Sequence, residues 1–424
     1  MFKTDTTLGR ARLAVSLIFA VNGFLYASWT SRIPRLQELY QIDNSQLAFV
    51  LLSMSIGALI AMPLTGLIIV KLGSRKLTTV MVFAFALLIP LLAFMPAYAV
   101  LPAVGVLIGM STGSLDIAMN AQAIVIEDGL KKPIMSSFHA IFSMGMLVGA
   151  ATASIFIGFG ADVMTHLPAV SAIALLVAFW CVRQLLEDNP QANGTEDAPT
   201  SGFRFHRVVV LLGLAALCCM MGEGSMTDWT TVYMLRIAGS PEQWAPIGQA
   251  AFSGAMMTGR LGGDWARAKF GSLTLIRNGS ILALSGLTIA LFFPFPVTAF
   301  IGFLLVGIGL SNIVPIAYSI SGKIPGVAPS VGISSVTTIG YSGFLFGPPV
   351  IGFISDWHNE AILHGIDPMA WWMNGSWRGL QFGLGFIWLL FVILVIIAFF
   401  FLQIDDQKLP DEAGDTDAYA ESLV

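Results

Sequence analysis

The chain has 424 residues, of which 56% are hydrophobic and only 11% charged, with a mean hydropathy of +0.80. A soluble domain carries about 25% charged residues, so a water-soluble globule is excluded and lipid must be the solvent for much of the chain. The net charge of −4 says little by itself, because its distribution matters more.

Backbone polar groups in lipid must pair internally, which leaves helix bundles or closed barrels. The apolar runs here are about twenty residues long and unbroken, which selects helices. Flanking charges and turn residues bound twelve of them: 12–32, 46–70, 77–95, 100–126, 134–160, 166–186, 207–234, 244–265, 273–294, 297–321, 331–355 and 379–403. The expected fold is an all-α membrane protein built from two pseudo-symmetric six-helix bundles. No small-residue cleavage site follows the first run, so no cleavable signal peptide is expected. Cys181, Cys218 and Cys219 fall inside apolar runs and read as packing residues rather than a disulfide framework.

Basic residues orient the chain. With the N-terminus inside, Lys3, Arg10, Lys71, Arg75, Lys76, Lys131, Lys132, Arg183, Arg204, Arg207, Arg267, Lys269, Arg277, Lys323 and Lys408 fall on the cytoplasmic side, and Arg32, Arg35, Arg236 and Arg378 outside. The positive-inside rule therefore predicts cytoplasmic termini. The polar stretch 188–205 has a linker composition. It divides an N-terminal bundle, 1–187, from a C-terminal bundle, 206–403, and an acidic tail follows at 404–424. In the long outer connection, Trp371, Trp372 and Trp377 read as interfacial. A faint repeat supports the division: Lys71-Leu72-Gly73-Ser74 follows the second run and Lys269-Phe270-Gly271-Ser272 follows the eighth.

Polar residues recur on every third run. The first carries Asn22, the fourth Asp116 and Asn120, the seventh Glu223 and Asp228, and the tenth Asn312; the third, sixth, ninth and twelfth carry no central ionisable residue. A charge facing lipid is costly, so runs 1, 4, 7 and 10 are expected to line a central cavity and runs 3, 6, 9 and 12 to face lipid. Asn22, Tyr26 and Trp29 stand at i, i+4, i+7 on one helical face. They are candidate substrate contacts together with Asn120, Trp229 and Asn312, although interhelical bonding and interface anchoring would also explain such residues. Asp116 and Glu223 are candidate proton carriers, because a carboxylate held out of water can exchange a proton near neutral pH. Asp228 stands about 140° round the helix from Glu223. It reads as a gate acid pairing with Arg32, and His139, one turn into the fifth run, as a further gate residue. His358, Glu360 and His364 read as solvated on one outer loop, so no metal site is expected.

Several motifs carry a resemblance. The stretch from Gly66 to Lys76, containing Lys71, Gly73 and Arg75, resembles the signature loop of the Major Facilitator Superfamily. Its second-half copy runs from Gly259-Arg260 through Asp264 to Gly271. The family usually has an acid where Val70 and Ala268 stand. Gly347-Pro348-Pro349, Gly352 and Asp356 resemble a further family pattern. More narrowly, Ala27 to Pro34, Leu115 to Gln122, Ser137 to His139 and Glu223 to Trp229 resemble bacterial YbjJ-like inner-membrane permeases. The resemblance implies a secondary transporter, with Gly66, Lys71, Gly73, Arg75, Arg260, Asp264 and Gly271 as conformational-loop residues. It also disfavours drug export, because the fourth run lacks the arginine and the fifth the Gly-Pro signature of drug–proton antiporters.

No enzymatic activity, cofactor or nucleic-acid partner is expected, and the lack of a Walker-type loop argues against ATP as the energy source. The leading expectation is a monomeric, proton-coupled symporter of a small neutral solute, sugar-like or nucleoside-like, in a bacterial inner membrane. Arg32 and Arg260 are expected only at helix ends, so an anionic solute would meet no central cation. Export of a hydrophobic or cationic compound is the alternative, and a non-transporting solute receptor a second one.

Overall fold

The computed structural model describes residues 6–131, 134–187, 206–324, 327, 329–364 and 378–402. The linker and acidic-tail expectations therefore fall outside the described residues, as do Trp371, Trp372 and Trp377. In the N-terminal half, α1 spans Thr7–Thr30, α2 Ile33–Tyr40, α3 Asn44–Leu72, α4 Ser74–Leu88, α5 Leu91–Phe94, α6 Leu101–Leu130, α7 Met135–Gly158 and α8 Val163–Cys181. In the C-terminal half, α9 spans Arg207–Arg236, α10 Ile247–Phe270, α11 Ser272–Phe292, α12 Pro296–Leu310, α13 Ile313–Ser321, α14 Pro329–Leu363 and α15 Gly379–Ile396.

Local chemistry sets the boundaries. Thr6 caps α1 by accepting from the Gly9 N–H at 3.0 Å. Asp43 and Gln46 form a reciprocal capping box at the start of α3. The repeated Lys-Leu-Gly-Ser and Lys-Phe-Gly-Ser motifs adopt one shape. Gly73 has φ 80°, ψ 155° and Gly271 φ 83°, ψ 158°, each ending one helix and starting the next. That region of backbone space is open only to glycine, so the repeat is conserved geometry between the halves as well as sequence.

Among the described residues, eleven helical spans are long and apolar enough to cross a membrane. The twelfth crossing is α10, which carries Arg260, Arg267 and Lys269 and falls below that apolar level. Two crossings are interrupted. The third breaks between α4 and α5 at Ile89-Pro90, and the tenth between α12 and α13 at Ser311-Asn312.

Packing follows a pseudo-twofold pattern. In the first half α1 packs on α7, and α6 packs on α3 and α4. In the second, α9 packs on α14, and α12 on α10 and α11. The halves meet along two symmetry-related seams, α7 against α10 and α3 against α14. Burial is greatest in two of the four helices expected at the centre and does not otherwise separate the roles: the third crossing is 44% buried and the fifth and eleventh 39% each. The most apolar windows of α1 and α9 are 72% and 67% buried, while those of α8 and α11 are 39% and that of the last span 33%.

Two boundary expectations are corrected. The tenth-crossing break falls beside Asn312, which is not a cavity wall residue in an unbroken helix. The helix α14 continues past residue 355, which buries His358 completely against the Phe382 ring, 4.5 Å between centroids. His358 is therefore not solvated, whereas Glu360 and His364 are exposed as expected.

Candidate functional site

The middle of the bundle holds two polar groupings that join the halves. On α6, Asp116 lies one turn before Asn120, whose Nδ2 donates to the Asp116 carbonyl at 2.8 Å and to its Oδ1 at 3.3 Å. From α14 in the other half, the Tyr341 hydroxyl donates to Asp116 Oδ2 at 3.4 Å. Asp116 has no ion-pair partner among the described residues. Tyr318 on α13 points its hydroxyl at Met220 Sδ on α9, 3.8 Å away.

The second grouping is an ion pair. Arg260 Nη2 donates to the Glu223 carboxylate at 3.0 and 3.3 Å, and both side chains keep 15% exposure. Arg260 Nη1 donates to Ser143 Oγ on α7, in the opposite half, at 2.9 Å. Ser143 in turn donates to the His139 carbonyl at 3.2 Å, and the His139 ring meets Phe19 edge-on at 5.5 Å. This overturns the expectation that Arg260 stands at a helix end. The helix α10 continues through Gly262-Gly263 to Phe270, where Gly271 ends it, and so leaves Arg260 near its middle. The centre of the protein therefore holds a cation, already engaged by an acid. The side chain of Asp264 lies outside the described residues.

Toward the end where α1 finishes, the halves are closed by hydrogen bonds, with no ion pair between them among the described residues. Tyr26 Oη donates to Asp228 Oδ1 at 3.4 Å. The Tyr26 and Trp29 rings meet edge-on at 5.7 Å, and Trp29 is 1% exposed. Trp229 is fully buried and donates from Nε1 to the Pro348 carbonyl at 3.0 Å. Ser31 donates to Gln249 Oε1 at 2.8 Å, and Gln249 Nε2 to Thr30 Oγ1 at 2.7 Å. Ser154 donates to the Gln243 carbonyl. At the second seam, Asn44 Nδ2 donates to Ser355 Oγ at 3.0 Å, and the Ser45 backbone N–H donates to Asp356 Oδ2 at 2.5 Å. Asp356 thus places a carboxylate on the positive end of α3 from the opposite half. Gly352 makes that approach possible: a Cβ there would stand 2.5 Å from the Asn44 carbonyl oxygen.

The other sequence-derived candidates are placed as follows. Asn22 is 5% exposed and its Nδ2 points at Met119 Sδ, 3.9 Å away. Asn312 spends its amide inside its own half, donating to the Gly259 carbonyl and Ser311 Oγ, both at 3.0 Å. Arg32 does not pair with Asp228. It is 2% exposed and donates to the Ala161 carbonyl at 2.6 Å. Trp29 and Trp229 belong to the sealed end rather than to an exposed wall. Outside the membrane spans, Arg35 bonds Glu38 at 3.0 Å and Asp162 at 3.2 Å. Asp162 is held below the usual carboxylate range, chiefly by the Val163 N–H it accepts from and then by Arg35. In the signature loop, Arg75 pairs with Glu187 at 2.9 Å and Lys71 is exposed. Gly66 faces open space, so it does not mediate close packing here.

The sequence reading missed Tyr318, Tyr341 and Gln249. A signal existed for the tyrosines: the chain has only seven, and these two interrupt apolar runs. Nothing in the sequence said that Tyr341, on an eleventh run treated as apolar, would face Asp116.

The chain matches known proteins along most of its length. A family model described as Major Facilitator Superfamily matches residues 15–348. An uncharacterized MFS-type transporter of Yersinia pestis is 32% identical over 355 residues, 84% of this chain and 91% of the relative. The membrane protein MosC of Rhizobium meliloti is 32% identical over 343 residues, 81% of this chain and 83% of MosC. Among solved structures, the nucleoside transporter NupG aligns with a TM-score of 0.69 at 15% identity, over 92% of this chain and 99% of that one. A bacterial homolog of the human lysosomal transporter Spinster, inward-facing and occupied, aligns with a TM-score of 0.67 at 17% identity, over 91% and 95%. At these identities the two structures share the fold alone. Twelve membrane crossings, two pseudo-symmetric halves with a polar centre, and a family match over residues 15–348 lead to one conclusion: the chain is a multi-pass membrane transporter that belongs to the Major Facilitator Superfamily.

Proposed function

We propose that the protein is a proton-coupled symporter that brings a small neutral polar solute across the bacterial inner membrane. The observation that carries this reading is Asp116: a carboxyl within a membrane-spanning helix, without a cation among the described residues, bonded across the halves by Tyr341. An unpaired carboxylate in a low-dielectric site is costly, and taking up a proton removes that cost. Proton uptake at this position therefore bears directly on how the halves meet. Glu223 is the less suited carrier, because Arg260 already holds its carboxylate.

The corrected position of Arg260 changes the reason for a neutral solute while leaving the reading in place. Its charge is offset by Glu223, so Asp116 leaves the centre net acidic. An anion would be repelled, and a neutral solute has amides and hydroxyls to bond. Export of a cationic compound is the competing reading, and the acids Asp116 and Asp228 favour it. The nucleoside specificity in the name of NupG is consistent with a neutral polar solute, but that likeness carries only the fold.

The distribution of basic residues supports cytoplasmic termini, and in that orientation the sealed end is the periplasmic one. Residues 1–187 and 206–403 are the two moving bodies, 188–205 the cytoplasmic linker and 404–424 a cytoplasmic tail, in a protein working as a monomer. The test is uptake of radiolabelled neutral solutes into proteoliposomes under an imposed pH gradient. Gradient-driven accumulation of a neutral solute is the expected result. Movement of cationic compounds alone, against the proton gradient, would establish the export reading. Labelling of a cysteine at 195 by an impermeant reagent in intact cells would reverse the orientation.

A further inference from the structure

The sealed end contains a small cleft, apart from the polar centre, that both halves line. Ser31, Arg32 and Arg35, at the junction of α1 and α2, line it from the N-terminal half. Thr231 on α9 and Glu242, in the turn before α10, line it from the C-terminal half. The cleft has room for a single species the size of a water molecule.

Two of the lining side chains are buried with hydrogen-bonding groups left over. Arg32 and Thr231 are each 2% exposed. Among the described residues, Arg32 Nε and Thr231 Oγ1 have no hydrogen-bond partner. Arg32 spends Nη2 on the Ala161 carbonyl, a neutral acceptor, and forms no ion pair among the described residues. Its charge is therefore withdrawn from water without a counter-charge in contact. A buried charge in that state is costly, and a buried polar group without a partner marks a place where a water or an ion binds.

The neighbouring charges narrow the occupant. Glu38 and Asp162 are both spent on Arg35, at 3.0 and 3.2 Å. Glu242 is exposed and makes no ion pair with Arg32. Arg32 is also the N-cap of α2, so the cleft lies at the positive end of that helix. A water would satisfy the two leftover groups and leave the charge uncompensated. A cation would be repelled by Arg32, and a carboxylate or sulfate exceeds the room available. A monatomic anion accepts from both side chains and supplies the missing charge.

We propose that this cleft binds a small monatomic anion, with chloride as the simplest case, held between the Arg32 guanidinium of one half and the Thr231 hydroxyl of the other. The anion is a bound ligand and not the transported solute, so the inference does not depend on which solute is carried. Parting the halves at the sealed end takes Thr231 away from Arg32 and dismantles the site. Anion binding therefore favours the sealed arrangement by mass action. The Glu242 carboxylate opposes the anion through its like charge and keeps the site weak.

The experiment follows thermal unfolding of the purified full-length protein while chloride replaces gluconate at constant ionic strength. The wild type is expected to melt at a higher temperature in chloride, with a response that saturates. Thr231→Val is the cleanest variant, because its hydroxyl has no partner within the described protein to lose. It is expected to melt like the wild type in gluconate and to need about threefold to tenfold more chloride for the same response. Glu242→Gln is expected to shift half-saturation at least about twofold the other way, by removing a like charge. Arg32→Gln is expected to abolish the response. Equal melting of the wild type in chloride and gluconate would mean that only water occupies the cleft, and the proposal falls. A chloride response that persists unchanged in both Thr231→Val and Glu242→Gln places the anion elsewhere and overturns the assignment, even where Arg32→Gln fails to fold.

Discussion

The sealed end and the centre join the same two halves by different physics. At the sealed end the contacts are amides, hydroxyls and two carboxylates that accept single hydrogen bonds, Asp228 from Tyr26 and Asp356 from a helix terminus. At the centre they are an ion pair shared with Ser143 and a lone carboxyl held by a tyrosine. Neutral hydrogen bonds each contribute about 0.5–1.5 kcal/mol net, so the sealed end can open and close without any one bond dominating. Ionic groups in a low-dielectric region respond strongly to a change of charge. The difference suits a gate that moves repeatedly around a centre that responds to charge.

The comparison is tested most severely at the ion pair. Glu223→Gln would leave Arg260 partly buried with no carboxylate. Removing one partner of a buried pair costs about 3–5 kcal/mol, and the 15% exposure of both side chains places the expected loss toward the low end. Thermal melting should show this loss, and adding Arg260→Gln should recover most of it. A melting temperature unchanged in Glu223→Gln would mean that the pair is not a structural element of the centre.

Asp116→Asn separates function from stability within the same region. The amide keeps the shape and an acceptor for Tyr341, so melting should change by less than about 0.5 kcal/mol, as for substitutions that break no buried network. Accumulation driven by a pH gradient should fall at least about tenfold, equivalent to roughly 1.4 kcal/mol. Wild-type accumulation in Asp116→Asn would move the proton site elsewhere.

The sealed end should respond less. Asp356→Asn removes the charge that faces the first turn of α3 while leaving an oxygen to accept from Ser45. A carboxylate at a helix N-terminus contributes about 0.3–1 kcal/mol. The expected shift toward the open arrangement is therefore about twofold to fivefold, readable as the distance between spin labels on α3 and α14. A shift as large as that caused by breaking the Glu223–Arg260 pair would erase the distinction between the two regions.

The smallest effect is expected at the rim, in the exposed Arg35–Asp162 pair. Asp162 is held below its usual range, so any stability it adds is present above the ordinary carboxylate value and is lost as pH falls through the lowered one. Acid unfolding of Asp162→Asn should lack that component. Solvent screening keeps the difference small, and a large midpoint shift would show that this rim contact belongs energetically to the gate.

Much of the architecture was readable before any coordinates. Apolar run length set the number of crossings, because a backbone in lipid has to satisfy itself within each helix. The Lys-Leu-Gly-Ser and Lys-Phe-Gly-Ser repeats marked the symmetric turns, because their φ near 80° requires glycine. The polar first and seventh runs pointed to the two most buried helices, because charge cannot face lipid cheaply. Partner choice was not readable. Whether Asp228 meets Arg32 or Tyr26, whether Arg260 ends a helix or sits at its middle, and whether Asn312 faces the cavity or its own half depend on rotation and register. A shift of one residue along a helix turns a side chain by about 100°, and only the packing of whole helices, α7 on α10 and α3 on α14, decides which side chains then meet.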